Sequence, residues 1–425
     1  MNNEEMRFQI EAAGPATIKV IGVGGCGGNT LNTMIKTGMS GVDFIACNTD
    51  RMDLESNMAP TQLILGEGLG AGGDPEMGRL AAEESSEAIV EMLKGSHMVF
   101  ITAGLGGGTG TGAGPVIARL AKEEVGALTV AIVTRPFTFE GKKRIGSANQ
   151  GLETLSQHVD SLITIPNQKL LAWAGNGATM KEAFSKSDEV LLNAVQGISD
   201  LITVPGLINL DFADVKTIME GMGAALMGTG VATGEGRAME AANMAISHPL
   251  LEDVQINGAR GVLINITGPQ EMGLAEVQDA VSHVQEAASD DANIIFGTVF
   301  DDRMGDAMRI TVIATGFPGA GEKYVPDARF DQAPAAIGGR ERGDVSIFPN
   351  NDSQRQSIAP RSGARRVVHM GSVSDVEKDK FGDPKTGGPG DRPVFRNGPS
   401  RIASGKSKVD MDDYETPTYI RRSAD

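Results

Sequence analysis

A chain of 425 residues has room for a large core and favours two domains or more, while a formal net charge of −17 repels phosphate backbones and argues against nucleic acid as a partner. The acidic start lacks the regions of a signal peptide, and no run of about 18 apolar residues is present, so neither export nor direct membrane insertion is expected. Two cysteines, Cys26 and Cys47, suit a reducing, cytoplasmic compartment, and the five histidines show no zinc spacing.

Residues 1–14 read as a flexible start. Short β-branched runs with turn residues at their ends predict strands at Ile18–Val23, Val42–Asn48, Met98–Ala103, Leu128–Thr134 and Ser161–Pro166. Helical patterns over Asn29–Lys36, Met77–Leu93 and Pro115–Glu124 lie between them, which predicts an α/β domain with a parallel sheet over residues 15–184. A broad apolar stripe running from Val190 to Ile202 predicts a central helix over 185–205. A second, smaller α/β domain is expected over 206–317, with a helix at Val215–Met222, strands at Gly261–Thr267, Ile294–Phe300 and Met308–Thr315, and a helix at Leu274–Ala288. Residues 318–408 are rich in Gly, Pro, Ser, Asp and Arg and read as a disordered linker. Residues 409–425 regain apolar and aromatic character, and the cluster Tyr419, Ile420, Arg421, Arg422 reads as a docking peptide.

The chemistry lies in glycine loops. Gly22–Asn29 follows the first strand and opens a helix, so its backbone amides can approach a phosphate. It fits the dinucleotide fingerprint, with Asp43 as a possible ribose acid, and it also fits a tight structural turn. Gly104–Gly112 follows the third of the five strands listed first, with almost no side-chain bulk and two threonine hydroxyls. A purely structural turn rarely needs so many glycines, and a dehydrogenase has no use for a second cradle. The loop Gly68–Asp74 and the strand end Asn48–Asp50 add small polar groups, and all four segments fall at the carboxyl edge of the expected sheet, where α/β folds bind ligands. No Walker A motif is present, since Gly405–Ser407 has no flanking strand or helix.

Two further sets of residues stay open on these grounds. Phe184 suits core packing as well as a ligand wall, and Asp211 and Asp214 suit helix capping ahead of Val215.

Gly106–Gly112 resembles the signature of the tubulin and FtsZ superfamily. Residues 15–318 and the C-terminal peptide resemble the FtsZ family of division-ring GTPases, with support from Pro136–Arg144, Ser161–Asn167 and Asn209–Asp214. The resemblance implies GTP and GDP as ligands. It implies phosphate contacts from Gly25, Cys26, Gly27, Gly28, Asn29, Ala71, Gly72 and Gly73, and from Gly108, Thr109, Gly110, Thr111 and Gly112, with Asn48 also at the nucleotide. Glu140 and Arg144 are implied at ribose and phosphate, Phe184 stacked on guanine, and Asn167 and Asp188 hydrogen-bonded to the base. Mg2+ is implied between the β- and γ-phosphates, with no direct protein ligand assigned. Asn209, Asp211 and Asp214 are implied as the catalytic loop, inserted into the nucleotide site of the next subunit. The implied protein is a head-to-tail homopolymer at the mid-cell division site, reached by membrane-tethering and regulatory division proteins through its tail. Three features depart from the family pattern: Cys26, either an oxidation sensor or a small tolerated side chain; Trp173; and a tail that is no close copy.

Overall fold

The computed structural model describes residues 16–174, 179–204, 206–251 and 256–317. The start 1–14, the side chain of Trp173, the linker 318–408 and the peptide with Tyr419–Arg422 lie outside the described residues.

The first strands are β1 (Ile18–Val23), β2 (Asp43–Asn48), β3 (Thr61–Ile64), β4 (Met98–Gly104), β5 (Leu128–Arg135) and β6 (Ser161–Pro166), all parallel. Helices α1 (Gly24–Lys36), α2 (Arg51–Glu55), α3 (Pro75–Glu84), α4 (Ser86–Leu93), α5 (Thr109–Arg119) and α6 (Lys142–Ser156) connect them. Then come α7 (Asn167–Ala174), the long α8 (Met180–Thr203) and α9 (Phe212–Met219). The last part holds β7 (Gly223–Thr233), α10 (Arg237–Ile246), β8 (Gly261–Gly268), α11 (Leu274–Ala287), β9 (Asn293–Phe300) and β10 (Ala307–Thr315). The ten strands form one sheet in the order β3-β2-β1-β4-β5-β6-β7-β10-β8-β9, with β10 antiparallel to both its neighbours.

The strands are apolar almost throughout because both faces are covered. Successive side chains of a strand point to opposite faces, so each strand feeds two cores. In β4, Met98 and Phe100 join a core with Val195 and Ile198 of α8, while Val99 and Ile101 join one with Ile117 of α5 and Leu152 of α6. A third core lies between β8, β10, α10 and α11.

Several elements differ from the sequence expectation. Helix α1 starts directly at Gly24, whose φ of 72° lets the chain turn from strand into helix without a loop. The helix expected over Met77–Leu93 is two helices that meet at Ser85, whose hydroxyl donates to the Ala81 carbonyl and accepts from the Gly66 N–H. Helix α5 begins ahead of Pro115, at Thr109, and ends in a π-helical turn over Leu120–Glu124. Helix α9 ends at Met219, before the glycine-flanked turn that starts β7. Strand β7 has weak strand propensity, and close packing accounts for its glycines: a Cβ at Gly230 would collide with the Ala241 carbonyl of α10. Helix α8 starts at Met180, earlier than the apolar stripe, where Thr179 and Glu182 form a capping box.

Candidate functional site

The loops after β1, β2 and β4 converge at the carboxyl edge of the parallel strands. Helices α1 and α5 both start there, so two helix N-termini present unpaired N–H groups and positive dipole ends to one place. A Cβ on Gly24 would lie 3.2 Å from the Gly110 nitrogen, which measures how closely the two glycine loops approach. The strand end after β2 joins them through the hydroxyls of Thr49 and Thr109, 2.6 Å apart. The loop Gly68–Asp74 is pinned by Gly70 N–H to the Thr49 carbonyl at 2.8 Å, and Gly108 packs against the Ala71 methyl. Asn48 is buried at the end of β2, and its Oδ1 accepts from the Asp50 N–H at 3.2 Å. Gly24, Gly25, Gly28, Asn29 and Asn48 line a small cleft under the first loop. Asp43 sits at the opposite end of β2, exposed, which removes it as a ribose acid for a ligand on these loops.

The glycines of the second loop serve two purposes. A Cβ at Gly112 would collide with the Pro75 carbonyl, and one at Gly110 would lie 2.6 Å from the Gly104 carbonyl, so packing of α5 on α3 and β4 demands both. The inference that structure rarely needs so many glycines therefore fails for these two. Gly107 has open space around its Cβ position and no left-handed φ, so packing does not demand glycine there. Paired helix N-termini, hydroxyls and a bare backbone are a donor set that fits a polyphosphate.

The other side of the site holds the implied base and ribose residues. Asp188 and Phe184 share one face of α8, spaced i and i+4. Thr30 Oγ1 of α1 donates to Asp188 Oδ1 at 2.8 Å. Burial pushes the Asp188 carboxyl up to about 7, and the Thr30 hydrogen bond only partly offsets this. Asn167, buried at the start of α7, accepts at Oδ1 from Ser187 Oγ at 2.9 Å. Glu140 Oε2 pairs with Arg144 Nε at 3.1 Å, and a Cβ at Gly106 would touch the Arg144 stem at 2.7 Å. Cys26 Sγ lies 3.8 Å from Thr134 Oγ1, and burial, with Asp188 as the next cause, pushes its thiol up to about 12. That shift is opposite to the one a redox-sensing thiol requires. Thr30 and Ser187, partners of Asp188 and Asn167, each read in sequence as an ordinary small polar residue with no signal of a place in this site.

The acid loop lies elsewhere. Asp211 caps α9, its Oδ1 accepting from the Asp214 N–H at 2.8 Å, and Asn209 Oδ1 accepts from the Gly206 N–H at 2.6 Å. Among the described residues, no hydrogen bond or ion pair engages the Asp214 carboxylate. The Phe212 ring meets His97 edge-on at 6.1 Å, and His97 directly precedes β4. Ser161 Oγ, at the start of β6, donates to the Met219 carbonyl at the end of α9. The loop thus sits at the amino edge of the strands. Across β4, at about 3.3 Å per residue, that is about 20 Å from the glycine loops. One chain does not bring Asn209, Asp211 and Asp214 to the loops of Gly25–Asn29 and Gly108–Gly112.

Among the described residues, no three His, Cys, Asp or Glu side chains gather into a metal site. No helix among the described residues is long and apolar enough to cross a membrane.

Residues 17–175 match the model of the Tubulin/FtsZ family, GTPase domain, and residues 223–318 match the FtsZ family, C-terminal domain. The chain is 50% identical over 364 residues to a cell division protein FtsZ of Azotobacter vinelandii, covering 83% of this chain and 92% of the relative. It is 46% identical over 421 residues to a cell division protein FtsZ of Pseudomonas aeruginosa, covering 96% and 97%. Among solved structures it is similar to an empty FtsZ dimer from M. jannaschii, with a TM-score of 0.69, 46% identity and coverage of 71% of this chain and 89% of that one. CetZ1 from Haloferax volcanii, a GDP-bound monomer, shares the fold at a TM-score of 0.61 and 20% identity, over 72% of this chain and 97% of that one. With relatives this similar over most of their length, and a tubulin-like GTPase domain joined to its characteristic C-terminal domain, the chain belongs to the FtsZ family of cell division proteins.

Proposed function

We propose that this protein binds and hydrolyses GTP, and that it polymerises head to tail into filaments of the bacterial division ring. The observation that carries the reading is the separation of the glycine loops from the acid loop across the parallel strands. A nucleotide on the carboxyl edge and Asp214 on the amino edge meet only when two copies stack. Such a contact is heterologous, and one that does not close into a ring gives an open filament. The empty FtsZ dimer among its structural relatives supports self-association.

Residues 15–184 are the nucleotide domain in this reading, α8 is the spine, and 206–317 carries the acid loop toward the next subunit. The N-termini of α1 and α5, Thr109 and Thr111 cradle the phosphates, while Glu140 and Arg144 reach ribose and phosphate. Mg2+ would be held with the nucleotide phosphates and would supply charge neutralisation there. Asp188 selects guanine because an ionised carboxylate accepts from both the ring N–H and the exocyclic amino group, a donor pair adenine lacks. Asp211 is committed to its cap, so it shapes the loop, and Asp214 is the group left to orient the attacking water. Asn209 holds the turn ahead of them. Division-site localisation, and docking of membrane-tethering and regulatory proteins on residues 409–425, complete the reading.

Complementation by mixing tests it. Arg144→Ala impairs the pocket and Asp214→Ala impairs the loop, so each alone has low phosphate release from GTP. Mixed, they should recover activity at junctions that pair an intact pocket with an intact loop. A mixture no faster than the summed residual rates would sink the shared site.

A further inference from the structure

We propose that Phe137 is the positioning residue of the base-binding wall, a role that rests on the guanine-nucleotide reading above. Phe137 follows β5 and Pro136 and is fully buried. Its ring meets Phe184 at 5.1 Å between centroids with planes at 89°, and it stacks on Phe139 at 5.0 Å and 12°. Edge-to-face packing sets the electropositive edge of one ring against the electron-rich face of the other, so Phe137 fixes the plane in which Phe184 stands. A ring whose plane is fixed before the ligand arrives loses less entropy when a purine stacks on it.

The same short loop reaches the other candidate contacts. The Phe137 N–H donates to Glu140 Oε1 at 2.8 Å, while the second oxygen of Glu140 pairs with Arg144. The next residue, Thr138, donates from N–H and Oγ1 to Gln168 Oε1 at 3.2 and 3.0 Å, and Gln168 adjoins Asn167. Residues 137–140 therefore clamp three separate elements: α6 through Arg144, the start of α7 through Gln168, and α8 through Phe184. Phe139, 59% exposed, extends the wall to its rim. The set meets the second glycine loop at the Arg144 stem on Gly106. The Phe137 ring thus acts on the base, while its backbone N–H, which Phe137→Leu keeps, holds Glu140 and Arg144 toward ribose and phosphate.

The test is competition binding on the full chain held below its assembly threshold, with GDP and inorganic triphosphate as the two probes. Phe137→Leu, which keeps an apolar filling but loses the ring, should weaken GDP about three- to tenfold and leave inorganic triphosphate within about twofold. Phe139→Ala, at an exposed position that spares the fold, should weaken GDP alone by about two- to threefold, and it carries the test if Phe137→Leu does not fold. GDP affinity unchanged in the variants, or equal losses for both probes, overturns the proposal. Wild-type protein with no preference for GDP over ADP would instead refute the guanine reading on which it stands.

Discussion

Asp188 shows what one buried carboxylate implies. With its carboxyl pushed up to about 7 in the unliganded protein, it is largely neutral below that pH and largely ionised above it. In the base-binding role proposed for it Asp188 must be ionised, so binding should pull the proton off, and affinity should fall as pH drops below about 7. Calorimetric titration of GDP between pH 6 and pH 8, in buffers of different ionisation enthalpy, should show weaker binding at the acid end and proton release on binding. Constant affinity across that range would deny Asp188 its place at the base. The loss of one charged hydrogen bond costs on the order of 2 kcal/mol, so GTP should outbind ATP about thirtyfold in a competition assay. The two aspartates of the acid loop separate in the same way. Asp211→Ala removes a helix cap and should lower stability by about 1 kcal/mol. Asp214→Ala should leave the unfolding midpoint in place and abolish phosphate release. Sequence spacing could not distinguish the two aspartates, because both sit where a helix start wants acids. The hydrogen bond from the Asp214 N–H to Asp211 makes the difference visible.

At the scale of elements, the strands of the nucleotide half were legible because two covered faces demand continuous apolar residues, and β1 and β6 begin and end where those runs do. The start of α5 was not, since glycines are poor helix formers and Gly110 and Gly112 hide inside what reads as a loop. Close contact with α3 overrides that propensity: Gly78 of α3 and Gly112 of α5 have the backbone of the other element where a Cβ would go. The convergence of the glycine loops at one sheet edge was legible in sequence, whereas the roles proposed for Asn167, Phe184 and Asp188 rest on resemblance and not on spacing. Two substitutions separate packing from access. Gly112→Ala should lower the thermal midpoint by many degrees or prevent folding, since backbone cannot yield to it as a flexible side chain can. Gly107→Ala should unfold at the wild-type temperature while triphosphate affinity drops, because its new methyl meets ligand instead of protein. Thermal melts beside phosphate-analogue binding check the pair, and a Gly107→Ala protein with unchanged affinity would contradict the access argument.

For the whole molecule, residues 409–425 are expected to dock onto a membrane-bound adaptor. Many copies along a filament turn a weak tail contact into strong attachment. Deleting 410–425 should leave GTP turnover near wild type in solution and scatter filaments from the division site in cells; a truncated protein that still forms a normal ring would refute the docking role.

In the head-to-tail stack proposed above, the distance between the two edges would dictate a counting rule. A stack of n subunits would have n pockets, but only n − 1 of them would face an acid loop. One terminal subunit would keep an incomplete pocket, and its GTP would outlive the rest. Turnover per subunit should then follow 1 − 1/n: a dimer at half the rate of a long polymer, and a trimer at two-thirds. The two ends would differ in chemistry as well as in shape. One would carry a durable nucleotide and the other an idle acid, so growth and loss at the tips should be asymmetric before any regulator arrives.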